Sequence, residues 1–501
     1  MTRPGEAGVV VIGGGLAGIT AAIALREAGH EVTLLEARPR LGGATASFRR
    51  GDLTVDTGQH IFLRCCTAYR GLLARLGTTG ATTMQDRFDV TVLSPGGRAR
   101  LRRNGLPGPL HMASSLLRYP LLSPAERLQV GRAALALRLL DPARQDGKRL
   151  GDWLAAHGQS ERARRVLWDL FTVSSLNVAG DDANLGLAAT VVQTALLGAR
   201  DAADIGVPAV PLGELHGRAA AALLTRLGAH VRLGAKVVAV EPDGHGGFLV
   251  RLARGEDDAP LAAANADVPS SANGNGDGSS ATAPLAAGVL AAGAVVLAVP
   301  PHQAARLAPA AAGEPERWAR LEYAPIVNVH VIYDRRVTRL PFAAAVDSPV
   351  QWVFDRTGPS GLASGQYLAV SLSAAGEYVD VPAATLREQF LPALAELFPA
   401  ARDARVADFF VTRERRATIR QVPGCGALRP GPATRLPGLA VAGAWTDTGW
   451  PDTMEGAVRS GLNAAMQLRR GLAGRGLPAR AVTGIGSPRR GQRTAGAGAA
   501  P

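Results

Sequence analysis

Gly8-Val9-Val10-Val11-Ile12-Gly13-Gly14-Gly15-Leu16-Ala17-Gly18 opens the stretch on which the fold turns, and it leads into Glu31-Val-Thr-Leu-Leu-Glu36. Residues 8–12 form an unbroken apolar run, which predicts a buried parallel strand. Residues 16–28, rich in alanine and leucine, predict a helix, and 31–36 a second strand. Together they are a βαβ unit, the opening of a doubly wound α/β domain. The glycines fit G-x-G-x-x-G between strand and helix. Gly13 permits the turn, Gly15 lets backbone approach a pyrophosphate, and Gly18 lets helix pack on strand. Leu16 and Ala17 then offer their amides at the positive end of the helix. Glu36 stands eighteen residues after Gly18, where a carboxylate accepts from a ribose diol and repels a 2′-phosphate. The pattern predicts a dinucleotide that is not NADP.

Working outward, Val231–Val240 reads as one strand and Ala294–Val299 as another. Between them, 255–285 is rich in Ala, Asp, Ser, Asn and Gly and has almost no large apolar side chain, which predicts a disordered insertion in a hairpin. The basic segment 471–501 reads as a disordered tail. The middle, 105–200, reads as mostly helical. Alternation at 326–333 and the segment 351–354 predict strands, and 384–398 an amphipathic helix with Leu386, Phe390, Leu394 and Leu397 on one face.

At 501 residues the chain is too long for one core. The expected division is a discontinuous nucleotide domain (1–85, 205–310, 420–470) interrupted by a mixed α+β domain (86–204, 311–419). The formal charge is +13. Much of the surplus lies between Arg98 and Arg138, where eight arginines (98, 100, 102, 103, 118, 127, 132, 138) face one acid, Glu126. Aromatics are sparse there, which argues against nucleic acid and for an anionic membrane face or a solvated rim. Three cysteines, two of them adjacent (Cys65, Cys66, Cys425), suit a reducing compartment. With no signal peptide and no apolar run of spanning length, the expected place is the cytoplasm, against the inner face of the membrane. No metal-ligand spacing is present, and nothing in the chain speaks to oligomeric state.

Directly after Glu36 comes Ala37-Arg38-Pro39-Arg40-Leu41-Gly42-Gly43. This resembles the E-A-R-x-R-x-G-G segment of the amine oxidase and carotenoid desaturase flavoproteins, which carries arginines and close backbone to the phosphates and flavin of FAD. Near the other end, Gly443, then Trp445-Thr-Asp-Thr-Gly-Trp450 and Met454-Glu455-Gly456-Ala457-Val-Arg-Ser-Gly461, resembles the same superfamily's C-terminal flavin segment. The resemblance implies FAD as cofactor and an α/β fold: a Rossmann-like FAD-binding domain with an inserted mixed α+β substrate domain, the amine oxidase-like two-domain flavoprotein. It implies flavin contacts at the loop residues named above, at Ala37, Arg38, Arg40, Gly42 and Gly43, at Gly58, Gln59 and Val237, and at Gly443, Met454, Glu455 and Ala457. Two usual contacts are absent, because Ala44 stands where arginine is common and Ala444 where an acid is common.

Asp56-Thr57-Gly58-Gln59-His60-Ile61-Phe62-Leu63-Arg64-Cys65-Cys66-Thr67-Ala68-Tyr69 is similar to the D-x-G-Q-H…C-C-T-A-Y stretch of the hydroxysqualene dehydroxylases. The likeness continues through Trp168–Phe171, Ser175–Asn177 and Ala203–Pro208. It implies reduction of hydroxysqualene, a C30 isoprenoid, to squalene by reduced FAD in squalene and hopanoid synthesis. Such a site needs a proton donor for the departing hydroxyl, for which His60 and Asp447 are the candidates. It also needs aromatic or apolar walls for developing positive charge, for which Phe62, Trp445 and Trp450 are the candidates. The rival expectations are an oxidative carotenoid-type desaturase, a flavin amine oxidase, and a prenyl-lipid escort protein without chemistry.

Overall fold

The computed structural model describes residues 8–253 and 288–474. The expected insertion at 255–285 lies outside them, as does the tail beyond Gly474. Residues 471–474, expected to open that tail, instead complete the helix Met454–Gly474.

Val9–Ile12 and Val32–Glu36 are strands with Leu16–Glu27 as the helix between them. They sit in a five-stranded, wholly parallel sheet in the order 230–233, 32–36, 9–12, 294–297, 439–441. Four inward-reading residues, Val9, Val10, Val11 and Ile12, are all buried, as expected of a strand covered on both faces. The helix Leu16–Glu27 covers one face and crosses the helix Met454–Gly474 so closely that a Cβ on Gly461 would lie 2.3 Å from the Ala17 carbonyl. The other face carries a three-stranded antiparallel sheet, Val237–Pro242, Phe248–Leu252 and Val289–Ala292.

One expected strand divides. Val231–Val240 is two strands, His230–Leu233 and Val237–Pro242, in different sheets. Gly234, at φ +70°, makes the break, a conformation that an L side chain resists.

The second half of the fold is a seven-stranded sheet in the order 406–419, 323–333, 366–372, 352–355, 342–345, 89–94, 97–102. Along Tyr323–Tyr333 the side chains alternate. Val327, Val329, Val331 and Tyr333 join Leu386, Phe390, Leu394 and Leu397 of the helix Ala383–Leu397 in one core. Asn328, His330 and Ile332 face the opposite way, toward the 50–60 segment. The helices between 113 and 197 pack around Tyr119, Leu137, Val166 and Trp168 against the far end of this sheet, at Phe88, Phe342 and Phe354.

Buried polar joints tie the halves together. Asp56 accepts from Arg356 at 2.5 Å, from Ser47 at 2.6 Å and from the Leu212 amide at 2.9 Å. Asp204, fully buried, accepts from Arg103, Arg64 and the Phe88 amide. Asn177, at φ +53°, bridges the Ala324 carbonyl and the Ala374 amide.

Removing one partner of a buried ion pair leaves an uncompensated charge in low dielectric, at a cost of about 3–5 kcal/mol. Arg356→Met should therefore lower the urea unfolding midpoint sharply. Breaking the exposed Arg415–Asp380 pair with Arg415→Met should leave the midpoint unchanged.

Candidate active site

The phosphate loop is built by close contact at two glycines and by open space at the third. A Cβ on Gly13 would lie 2.3 Å from the Ala298 carbonyl, and one on Gly18 would lie 1.9 Å from the Gly13 carbonyl. Only Gly43 Cα, at 3.9 Å, comes near a Cβ on Gly15. No side chain caps the helix at Gly15. The first amides, at Leu16 and Ala17, are therefore left to an anion.

Glu36 braces this loop from the second strand. One carboxylate oxygen accepts from the Gly14 amide at 2.6 Å, the other from the Arg38 amide at 2.8 Å. Each oxygen retains a lone pair for a ribose hydroxyl. Ala37 and Arg38 are exposed beyond it, while Arg40 is half-buried and its Nε meets no acceptor. Burial and the neighbouring Arg38 both lower the Arg40 pKa. A dianionic pyrophosphate would relieve both costs. Gly42 donates to the Gly14 carbonyl at 2.8 Å, and the positive φ of Gly42 and Gly43 (+112° and +57°) turns the chain back across Gly15. Val237, buried where the second sheet begins, packs in the core with Val10, Ile12 and Leu35, two residues after the Ala235 amide that donates to the Glu36 carbonyl. These residues fit FAD.

The C-terminal segment is held by groups that motif reading passes over. Arg429, buried, donates to the carbonyls of Ala444, Trp445, Thr446 and Trp450 and so shapes the whole loop. The Gly443 amide donates to Ser460 at 2.9 Å. Met454 and Ala457 are half-buried at the start of the long helix. Glu455 is not free for a ligand: its carboxylate, 1% exposed, accepts from the Ala68 and Tyr69 amides and from Arg459. It is a clamp from the C-terminal helix to the N-terminus of the helix Thr67–Leu76.

His60 lies at the junction of the halves. It is half-buried. Its Nδ1 is 3.1 Å from the Gly58 carbonyl. A carbonyl only accepts, so Nδ1 carries the hydrogen. Burial lowers the imidazole pKa, which leaves the ring neutral and Nε2 an acceptor. In this geometry the neutral His60 presents Nε2 as a hydrogen-bond acceptor. Beside it, the Gln59 Nε2 and both amide atoms of fully buried Asn328 have no partner among the described residues. His330, on the same sheet face, bonds Tyr367 and Thr412, and burial drives its pKa to about 3, so it too is neutral.

Other expected site residues are placed elsewhere. Asp447 is exposed and caps its own turn through the Gly449 amide, where a short acid after a tight bend normally sits. Trp445 is core: its indole donates to the Val299 carbonyl and packs on Trp318. Trp450 is buried beneath Arg459. Phe62 packs edge-on to Tyr69 and against Gly206. Cys65 and Cys66 precede their helix rather than lying in it, and burial raises Cys425 to about 11.

The two glycines give opposite expectations. Gly15→Ala should unfold like the wild type but bind FAD at least tenfold more weakly in an apoprotein titration, because its methyl enters the phosphate space. Gly18→Ala should lose about 1–3 kcal/mol of stability by overpacking, read by thermal unfolding.

Residues 16–469 match the family model described as flavin containing amine oxidoreductase. The chain is 31% identical to a hydroxysqualene dehydroxylase of Rhodopseudomonas palustris, over 91% of this chain and 97% of that protein. It is 23% identical to a 15-cis-phytoene desaturase of Narcissus pseudonarcissus, over 92% of this chain and 79% of that one. Among solved structures, a putrescine oxidase triple mutant superposes with a TM-score of 0.68 at 19% identity, covering 93% and 99% of the two chains, which speaks to fold alone. A phosphate cradle open at Gly15, a braced Glu36 and a near full-length match converge: the chain belongs to the flavin-containing amine oxidoreductase family and, within it, to the hydroxysqualene dehydroxylases.

Proposed function

We propose that this FAD-dependent oxidoreductase reduces hydroxysqualene to squalene. The near full-length 31% identity to a hydroxysqualene dehydroxylase carries the reading. Reduced FAD supplies hydride when bound. The protein's own part is to hold an apolar C30 chain, exclude water and manage one proton. Neutral His60 accepts the substrate hydroxyl's hydrogen bond at Nε2 and so orients the C–O bond. Neutral His60 and His330 add no positive charge there, which would oppose a developing cation. The buried positions of Trp445 and Trp450 weigh against an aromatic pair for an amine.

A membrane face completes the reading, since such a substrate hardly dissolves in water. Six leucines (106, 110, 117, 128, 135, 139) are exposed within 34 residues of chain. On the helix Pro124–Arg138 and its cap, Leu128, Leu135 and Leu139 share one outward stripe with Arg132. Beside them opens a cleft of about 790 Å³ lined by Arg87, Arg98, Arg100, Arg102, Arg103 and Arg118. Apolar contact plus basic charge suits an anionic bilayer surface. No described helix is long and apolar enough to cross a membrane. The reading assigns 1–85, 205–310 and 420–470 to a flavin side and 86–204 and 311–419 to a substrate side.

As purified, the protein should show the visible absorption of bound flavin. A colourless protein that cannot be reconstituted with FAD would favour the escort-protein reading. Given hydroxysqualene without oxygen, the dithionite-reduced protein should return to the oxidised spectrum with one squalene per flavin. Flavin that stays reduced, or oxidised enzyme that desaturates squalene instead, would favour the desaturase reading.

The protein should co-sediment with phosphatidylglycerol vesicles and be released by salt. The double variant Leu135→Ser/Leu139→Ser should bind several-fold less. Equal binding by variant and wild type would argue against this face.

A further inference from the structure

The cleft beside the leucine stripe is organised more closely than a solvated rim requires. Its volume is about 790 Å³, and six arginines line it with no acid and no aromatic ring among the lining residues. It therefore offers nothing to hold a cation or to stack a base. Arg98, Arg100 and Arg102 come from the strand Gly97–Arg102. Alternation buries Ala99 and Leu101 and sends the arginines to the other face, roughly 7 Å apart. That strand is an edge of the seven-stranded sheet, and charge on an edge guards against pairing with another chain. Guarding does not explain Arg87 and Arg118, which other segments bring to the same concavity. Arg87 precedes the strand Asp89–Ser94. Arg118 follows the helix Ala113–Leu117, which Ser115 fixes to the end of the arginine strand. The Ser115 hydroxyl accepts from the Arg102 amide at 2.7 Å and donates to the Arg102 carbonyl at 2.8 Å.

The six guanidiniums divide into two sets. Arg100 meets both oxygens of Asp89, at 2.6 and 2.5 Å, and Arg102 lies 3.3 Å from the same carboxylate. Arg103 meets both oxygens of buried Asp204. Arg87, Arg98 and Arg118 have no hydrogen bond or ion pair among the described residues. The Ser114 hydroxyl accepts from Asn104 at 3.1 Å, and its own hydrogen meets no acceptor among them. Two carboxylates thus answer six arginines, and three forked donors and a hydroxyl remain unused on one concave surface. A guanidinium fork matches two oxygens of a phosphate, and a concave basic wall concentrates its field on what enters.

We infer that this cleft is a phosphate-binding site, in which Arg87, Arg98 and Arg118 hold a phosphate monoester or diphosphate group and Ser114 donates to one of its oxygens. Such a group brings nearly two negative charges or more and at least three acceptor oxygens, which suits three unpaired guanidiniums. The cleft has the volume of a site for a whole small molecule rather than for one ion. The group has two sources, a soluble phosphate ester or a lipid headgroup at the leucine face. The site stands apart from the dehydroxylation reading. It differs from general attraction to an anionic surface because it fills at one ligand per chain.

Calorimetric titration of the holoprotein with inorganic diphosphate tests the site, because FAD then occupies the cradle at Gly15. One diphosphate per chain should bind saturably while sodium chloride holds the ionic strength constant. Arg87→Gln/Arg98→Gln/Arg118→Gln should bind at least about tenfold more weakly. Its thermal midpoint without ligand should be unchanged, since none of the three is paired. Arg335→Gln/Arg405→Gln/Arg415→Gln removes the same charge from exposed pairs elsewhere and should bind like the wild type. Absence of saturable binding overturns the proposal, and so does equal weakening by the two triple variants. If the cleft variant does not fold, Arg87→Gln and Arg118→Gln alone should each weaken binding several-fold, and two single variants that bind like the wild type overturn the site. Vesicles of phosphatidic acid separate the sources. Diphosphate that releases the protein from them at constant ionic strength supports a site for a lipid headgroup. Diphosphate that fills the cleft and leaves vesicle binding intact supports a site for a soluble ester. A protein that binds diphosphate yet keeps its flavin reduced with hydroxysqualene retains this site and loses the dehydroxylation reading.

Discussion

The ion pair between Asp56 and Arg356 is the contact on which the site depends. It joins the Gly58-Gln59-His60 turn to the seven-stranded sheet across 300 residues of chain, and both side chains are buried. A pair taken out of water is stable only if its remaining lone pairs and protons are used, and here Ser47, the Leu212 amide and the Pro208 carbonyl use them. The joint thus fixes position more than it adds stability. It acts together with the Arg50–Asp408 pair and the Arg50–Phe410 contact, which join the same segment to the same sheet.

Burial then sets the charge state of the titratable groups near this joint and beyond it. The same desolvation that lowers the His60 and His330 imidazoles raises the Asp452 carboxyl, because it always opposes the charged form. The buried imidazoles are therefore neutral, while the buried carboxyl holds its proton more tightly than an exposed one.

The C-terminal segment shows how a missing contact is compatible with a formed site. Ala444 supplies no carboxylate, yet its carbonyl is one of four gathered by Arg429, so the loop keeps its shape. Glu455 is spent on the Ala68 and Tyr69 amides, which docks the long helix on the helix Thr67–Leu76. Ala44 keeps its backbone role as well, accepting from Thr57 at 2.7 Å. The two departures therefore remove ligand contacts without loosening the frame around them.

The sequence by itself determined the nucleotide half. A buried strand, a glycine loop and an acid lie within 30 residues, and their roles follow from backbone sterics and local hydrogen bonds that need no distant partner. The same locality made the helix Ala383–Leu397 and the alternation along Tyr323–Tyr333 readable. It failed at Gly234, where one apolar run divides between two sheets, and at Trp445, Trp450 and Asp447, whose residue types suit a site but whose surroundings are core or solvent. Arg356 and Arg429 carry no local signal at all. Their partners lie tens to hundreds of residues away, and only tertiary burial decides which polar group is paired and which is left without a partner.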